Sequence, residues 1–145
     1  MKAHELARSS LFKHLSPAEL ADAATLMTKD HFRAGETIFK QGEPGDFFFY
    51  IATGSVRVWL ELENGDAQEL TELGAGEFFG ELALLDEEPR TANVEAVKNC
   101  EVWKMGREEF LNLLRGNAHM AVKLLQVVGR RLRHADELIR RLSSR

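Results

Sequence analysis

A single cysteine, Cys100, excludes an internal disulfide, so the chain must hold itself together by burial alone. Its 145 residues suffice for one hydrophobic core without such a staple. Long apolar runs are missing as well. The longest, Phe47 to Ala52, is far too short to cross a bilayer, and Met1-Lys2-Ala3-His4-Glu5 lacks the apolar region of a secretory signal. Together these absences predict a cytoplasmic protein with no membrane partner. With no low-complexity tract, Pro-rich linker or solenoid-period repeat, a single domain over residues 1–145 is expected.

Groupings that would carry catalysis are equally scarce. His4, His14, His31, His119 and His134 are dispersed, Cys100 has no neighbouring histidine, and no strand carries the His-x-His pair of a metal-binding roll. A Walker-type glycine-lysine loop is also missing. The expectation is a non-enzyme with no metal and no cofactor.

Positive charge is missing from one long stretch. Glu61 to Glu88 holds ten acids and no Lys or Arg, whereas Arg130, Arg131, Arg133, Arg140, Arg141 and Arg145 crowd the carboxy terminus. Basic residues favour the last turns of any helix through its dipole, so this end is read as a solvated face, with no nucleic-acid partner expected from this chain alone.

What the sequence does contain is clear punctuation. Ser16-Pro17-Ala18-Glu19 has the capping-box pattern, with Leu15 and Leu20 as hydrophobic staple, and predicts a helix from about Pro17 to Met27 within a helical segment 1–28. Between residues 29 and 106, short Ile-, Val-, Phe- and Thr-rich runs are broken by glycines about every ten residues, the texture of an all-β roll or sandwich. Gly54 to Leu60 alternates before Asn64-Gly65, which predicts a hairpin with a two-residue turn. Residues 107–145 return to helical period, with Phe110, Leu113 and Leu114 on one face of a helix that Gly116-Asn117 ends before capping the next.

The last helix, expected over Ala118 to Leu142, carries Ala121, Leu125, Val128, Leu132, Ala135, Ile139 and Leu142 at alternating spacings of four and three, a heptad seam. Met120, Leu124 and Val127 form a second stripe available to the roll. The seam therefore predicts a parallel homodimer through Leu125, Val128, Leu132, Ile139 and Leu142, with Arg131 and Asp136 at the g and e positions of an interhelical ion pair. Gly129 is a weak point or a hinge in that helix.

Residues 76–94 carry the chemistry. Gly80 opens a short helical turn whose free amides can bind an anion, and Arg90 follows at a distance that lets its guanidinium return over that turn and grip two phosphate oxygens. Glu81 beside a phosphate site repels it unless the carboxylate accepts from ligand hydroxyls, as on a ribose. One arginine suits a monoanion. Two commoner fates are weighed against this: a surface ion pair of Arg90 with Asp86, Glu87 or Glu88, and a Glu81 that caps its own turn. Phe47, Phe48, Phe49, Phe78 and Phe79 are expected mostly in the core.

The runs Phe79-Gly80-Glu81-Leu82-Ala83-Leu84 and Pro89-Arg90-Thr91-Ala92 closely resemble the phosphate-binding cassette of cyclic-nucleotide-binding domains of the catabolite activator and kinase regulatory subunit type. Ala34 to Phe39, Gln41 to Asp46 and Ile51 to Gly54 extend the resemblance over nearly the whole chain. It implies a mainly β fold with flanking helices: a double-stranded β-helix, or jelly-roll-like β-roll, with an N-terminal helix, a short phosphate-binding helix and a long C-terminal helix. The resemblance further implies that Glu81 holds a ribose hydroxyl and Arg90 a cyclic phosphate. Gly80, Leu82 and Ala83 would offer backbone to the ligand, Thr91 would lie near phosphate or base, and Phe79 and Ala92 complete the site. The implied function is a regulatory sensor of cyclic AMP, with cyclic GMP possible, signalling through its last helix to an effector protein. The competing readings are a non-catalytic dimerisation or interaction module and a sensor of a different small effector. Unlike the catabolite activator, the sequence shows no helix-turn-helix after the last helix.

Overall fold

A computed structural model describes residues 1–143; Arg145, counted above among the basic residues of the last helix, lies outside them. The helices are α1 (Ala3–Leu6), α2 (Pro17–Thr25), α3 (Glu81–Asp86), α4 (Arg107–Gly116) and α5 (Ala118–Ser143). The strands are β1 (Thr28–Phe32), β2 (Thr37–Phe39), β3 (Phe47–Thr53), β4 (Ser55–Glu61), β5 (Ala67–Gly74), β6 (Phe78–Phe79), β7 (Asn93–Ala96) and β8 (Cys100–Gly106). They pair antiparallel into two four-stranded sheets, ordered β1-β8-β3-β6 and β2-β7-β4-β5, which form the expected roll with its flanking helices.

Local chemistry explains the element ends. Ser16 accepts from the Glu19 amide while the Glu19 carboxylate accepts from the Ser16 amide, so both halves of the capping box form at the start of α2. Asn117 ends α4 and starts α5, where its side-chain oxygen accepts from the Met120 amide at 2.9 Å. The β4–β5 hairpin forms, but its loop differs from the two-residue turn expected. Gly65 N–H donates to the Leu62 carbonyl and Leu62 N–H to that of Asp66, leaving three residues, 63 to 65, in the loop. Gly65, at φ +88°, supplies the left-handed residue that this three-residue geometry demands.

The Phe47–Ala52 run is continuous because the first sheet is covered on both faces. Phe48 and Tyr50 pack with Phe12, Phe110, Met120 and Leu124 under the helices, while Phe49 and Ile51 join Val56, Phe79, Val94 and Val102 inside the roll. Phe48 stacks on Phe110 at 4.3 Å and Phe49 on Phe79 at 4.9 Å, tying each core to the sheet. Phe47 alone of the five expected core phenylalanines stays exposed, beneath the Lys104 ammonium. α5 runs unbroken through Gly129. Its first half buries Met120 and Leu124, as the second stripe requires, and Val127 packs beside them. No helix among the described residues is long and apolar enough to cross a membrane.

Candidate functional site

Between the roll and α5 lies a cavity of about 700 Å³, within the range that suits a small-molecule ligand. Phe39, Val58, Leu70 and Leu73 give it apolar walls, the segments Phe78 to Ala83 and Arg90 to Ala92 close one side, and α5 supplies Val127, Val128, Arg131, Leu132, His134 and Ala135. All eight residues expected at the site, Phe79, Gly80, Glu81, Leu82, Ala83, Arg90, Thr91 and Ala92, border this one space.

Arg90 is 5% exposed, so its neighbours and not solvent determine its energetics. Its amide donates to the Glu43 carbonyl and its carbonyl accepts from the Gly42 amide, which pins the loop behind α3 to the β2–β3 connection. The guanidinium then reaches across to donate from Nη1 to the Gly80 carbonyl at 2.8 Å and from Nη2 to the Phe47 carbonyl at 2.7 Å. It lies 4.1 Å from the Phe39 ring centroid, a cation–π contact. Nε is buried without a partner. No carboxylate among the described residues forms an ion pair with Arg90; Glu87 pairs with Arg107 instead, so the surface ion pair weighed above does not form. Burial lowers the Arg90 pKa from its ordinary value, while the more distant charges of Asp46 and Glu81 oppose that shift. The result is a desolvated cation that borders the cavity without a carboxylate partner.

Two glycines make this geometry possible. Gly80 adopts φ +86°, and a Cβ there would fall 2.9 Å from Arg90 Nη1 and 3.1 Å from the Phe47 carbonyl oxygen. At Gly45 a Cβ would collide with that of Ala83 at 2.2 Å. Sequence reasoning assigned Gly45 no role beyond the resemblance. Arg107 was also missed: its Nη2 donates to the carbonyls of Gly45 and Ala83, clamping the loop to α3. An arginine opening a helix carries no sequence signal for such a role.

Glu81, 4% exposed, does not cap its own helix; Gly80 is the N-cap and no side chain caps α3. Its Oε1 instead accepts from Arg131 Nη1 at 2.9 Å, and Arg131 Nη2 donates to the Phe78 carbonyl at 2.5 Å. This corrects the expected g-position role of Arg131, which reaches the cavity of its own chain because α5 lies against the roll there. Oε2 of Glu81 has no partner among the described residues. Thr91 is exposed on the cavity wall and Ala92 buried beside it, while Phe79 belongs to the roll core. A buried, unpaired cation beside a carboxylate with one free oxygen is suited to a ligand that carries a single negative charge next to a hydroxyl.

The chain is similar to known proteins over most of its length. The family model described as the cyclic nucleotide-binding domain matches residues 29–117. Over 128 residues the chain is 38% identical to the cyclic AMP receptor protein of Thermus thermophilus, a stretch covering 88% of this chain and 59% of that protein. It is 40% identical over 111 residues to the cGMP-dependent protein kinase egl-4 of Caenorhabditis elegans, covering 75% of this chain and 14% of the kinase. The crystal structure of the Thermus thermophilus catabolite activator protein matches with a TM-score of 0.81 at 37% identity, over 93% of this chain and 63% of that one. The chain thus spans less than two thirds of each of these relatives. Its matched span and its two-sheet roll place the chain in the cyclic nucleotide-binding domain family.

Proposed function

We propose that the chain is a regulatory sensor that binds a cyclic nucleotide in the α5-covered cavity, with cyclic AMP favoured, and acts by binding and not by catalysis. The observation that carries this reading is Arg90: a buried guanidinium with no carboxylate partner and a spare Nε. In this reading the cyclic phosphate supplies the missing charge, and the backbone of Gly80, Leu82 and Ala83 approaches the same ligand. Glu81 accepts the ribose hydroxyl on Oε2, Thr91 borders phosphate or base, and Phe79 and Ala92 shape the wall. Similarity to a cyclic AMP receptor protein supports cyclic AMP, and similarity to a cGMP-dependent protein kinase keeps cyclic GMP in view.

Transmission runs through α5, which forms one wall of the site. Ligand that binds more tightly with α5 in one position shifts the population of that position, and only that differential affinity can do so. Leu125, Leu132 and Ile139 are 68%, 62% and 59% exposed on α5, which supports a homodimer through the seam they form with Val128 and Leu142. Calorimetric titration with cyclic AMP and cyclic GMP, after unfolding and refolding to strip carried ligand, tests the reading. Micromolar or tighter binding of either supports it. Binding of neither by refolded protein overturns it and favours an interaction module whose pocket is structural.

A further inference from the structure

We propose that His14 and His119 form a two-histidine site for a divalent transition-metal ion of the zinc type, outside the ligand cavity and independent of the cyclic-nucleotide reading. The two residues stand at opposite ends of the chain, one before α2 and one in the first turn of α5, yet their ring centroids lie 5.9 Å apart. Imidazole nitrogens bind zinc at about 2.0–2.1 Å, which puts the centres of two rings on one ion roughly 5–6.5 Å apart. The observed spacing falls within that span. Both side chains are exposed, so rotation about their own bonds can aim one nitrogen of each at a shared ion.

The backbone beneath both rings is anchored. Phe12 and Leu15, on either side of His14, are buried in the helix-covered core, and so is Met120 beside His119. The Asn117 side chain also holds the Met120 amide at 2.9 Å. A pair on anchored backbone loses little freedom when an ion bridges it. The rings border an open recess of about 330 Å³ that gives an ion access from solvent. Among the described residues no three His, Cys, Asp or Glu side chains cluster as a metal site, so water fills the remaining positions of the ion. Two imidazoles without a carboxylate select an ion such as Zn²⁺ over Mg²⁺ or Ca²⁺, which favour oxygen ligands. Lys123, one turn after His119 and lining the same recess, is the charge that opposes an ion there. A bound ion clips the segment before α2 to the first turn of the helix that covers the ligand cavity.

The test titrates Zn²⁺ into the full chain in chelator-free buffer, for the wild type, His14→Gln and His119→Gln, with Mg²⁺ as the comparison. Both histidines are exposed, so the metal-free variants should melt at the wild-type temperature, which shows that they fold. Each variant is expected to bind zinc at least about 10-fold more weakly than the wild type, because either substitution removes half of the protein's ligands. Zinc at a hundred times its dissociation constant should raise the wild-type melting temperature by about 5–11 °C, and Mg²⁺ at the same concentration should leave it unchanged. Zinc binding that survives either substitution undiminished overturns the proposal. So does equal stabilisation by Mg²⁺, or a wild type with no zinc dissociation constant below about 1 mM. None of these outcomes touches the sensor reading, which the nucleotide titration decides separately.

Discussion

Replacing Arg90 by leucine removes the cation assigned to the proposed phosphate, and the structure allows the consequence to be worked out in two assays. A hydrogen bond to a charged group contributes about 1.5–3 kcal/mol, so Arg90→Leu should weaken cyclic nucleotide binding about 10- to 150-fold by calorimetry. Ligand at a hundred times the wild-type dissociation constant stabilises the wild type by about 2.7 kcal/mol, and the same concentration stabilises the variant by only about 0.3–1.4 kcal/mol. At roughly 2–4 °C per kcal/mol, the ligand should raise the wild-type melting temperature by about 5–11 °C and the variant's by less than about 6 °C. The ligand-free variant loses donors to the Gly80 and Phe47 carbonyls but also sheds a buried, unpaired charge. These effects oppose each other, so the ligand-dependent shift is the quantity to read. Equal dissociation constants for wild type and variant would refute the assignment of Arg90 to the ligand's charge.

Further substitutions separate the site from its scaffold. Gly80→Ala forces a Cβ into the left-handed region against Arg90, at a cost of about 1–2 kcal/mol in stability by thermal melting, and should weaken ligand binding as well. Ser16→Ala breaks the capping box far from the cavity, and should cost about 0.5–2 kcal/mol of stability while leaving ligand affinity unchanged by calorimetry. Leu132→Asp places a charge on the exposed seam and should convert dimers to monomers in sedimentation; a wild type that is already monomeric contradicts the seam.

The parts of the fold that depend on neighbouring residues were legible in the sequence. Ser16-Pro17-Ala18-Glu19 announces α2 because both partners of its capping box lie within four residues, and Asn117 likewise marks the start of α5. The hairpin was legible, whereas its three-residue loop was not, since Asn64-Gly65 fits either length until the Leu62–Asp66 pairing is known. Phe47 to Ala52 could be read as a buried strand, but only the roll on one side and the helices on the other decide which phenylalanine faces which core. The short α1 carries too few residues for a periodic signal, and it was expected only as part of a helical segment over residues 1–28.

At the site, Gly80, Glu81 and Arg90 were legible because glycine, acid and arginine occur together within eleven residues. The contribution of α5 was not. Arg131 sits fifty residues from Glu81, and its heptad position suggested a partner helix instead. Only the docking of α5 on the roll reveals that this arginine completes the site. His134 likewise reaches the cavity wall only through that docking, its pairing with the Leu70 carbonyl spanning 64 residues. Nor could the sequence show that Arg90 is buried without a counter-charge, because three acids at positions 86 to 88 offered it partners that it does not take.

The central claim is that a ligand's single negative charge satisfies Arg90, and titration of refolded protein with cyclic AMP and adenosine side by side tests it most directly. The two share base and ribose and differ in the cyclic phosphate. The account predicts that cyclic AMP binds at least about 10-fold more tightly, as loss of one charge-assisted hydrogen bond requires. Equal affinity for adenosine, or binding of neither, would contradict it.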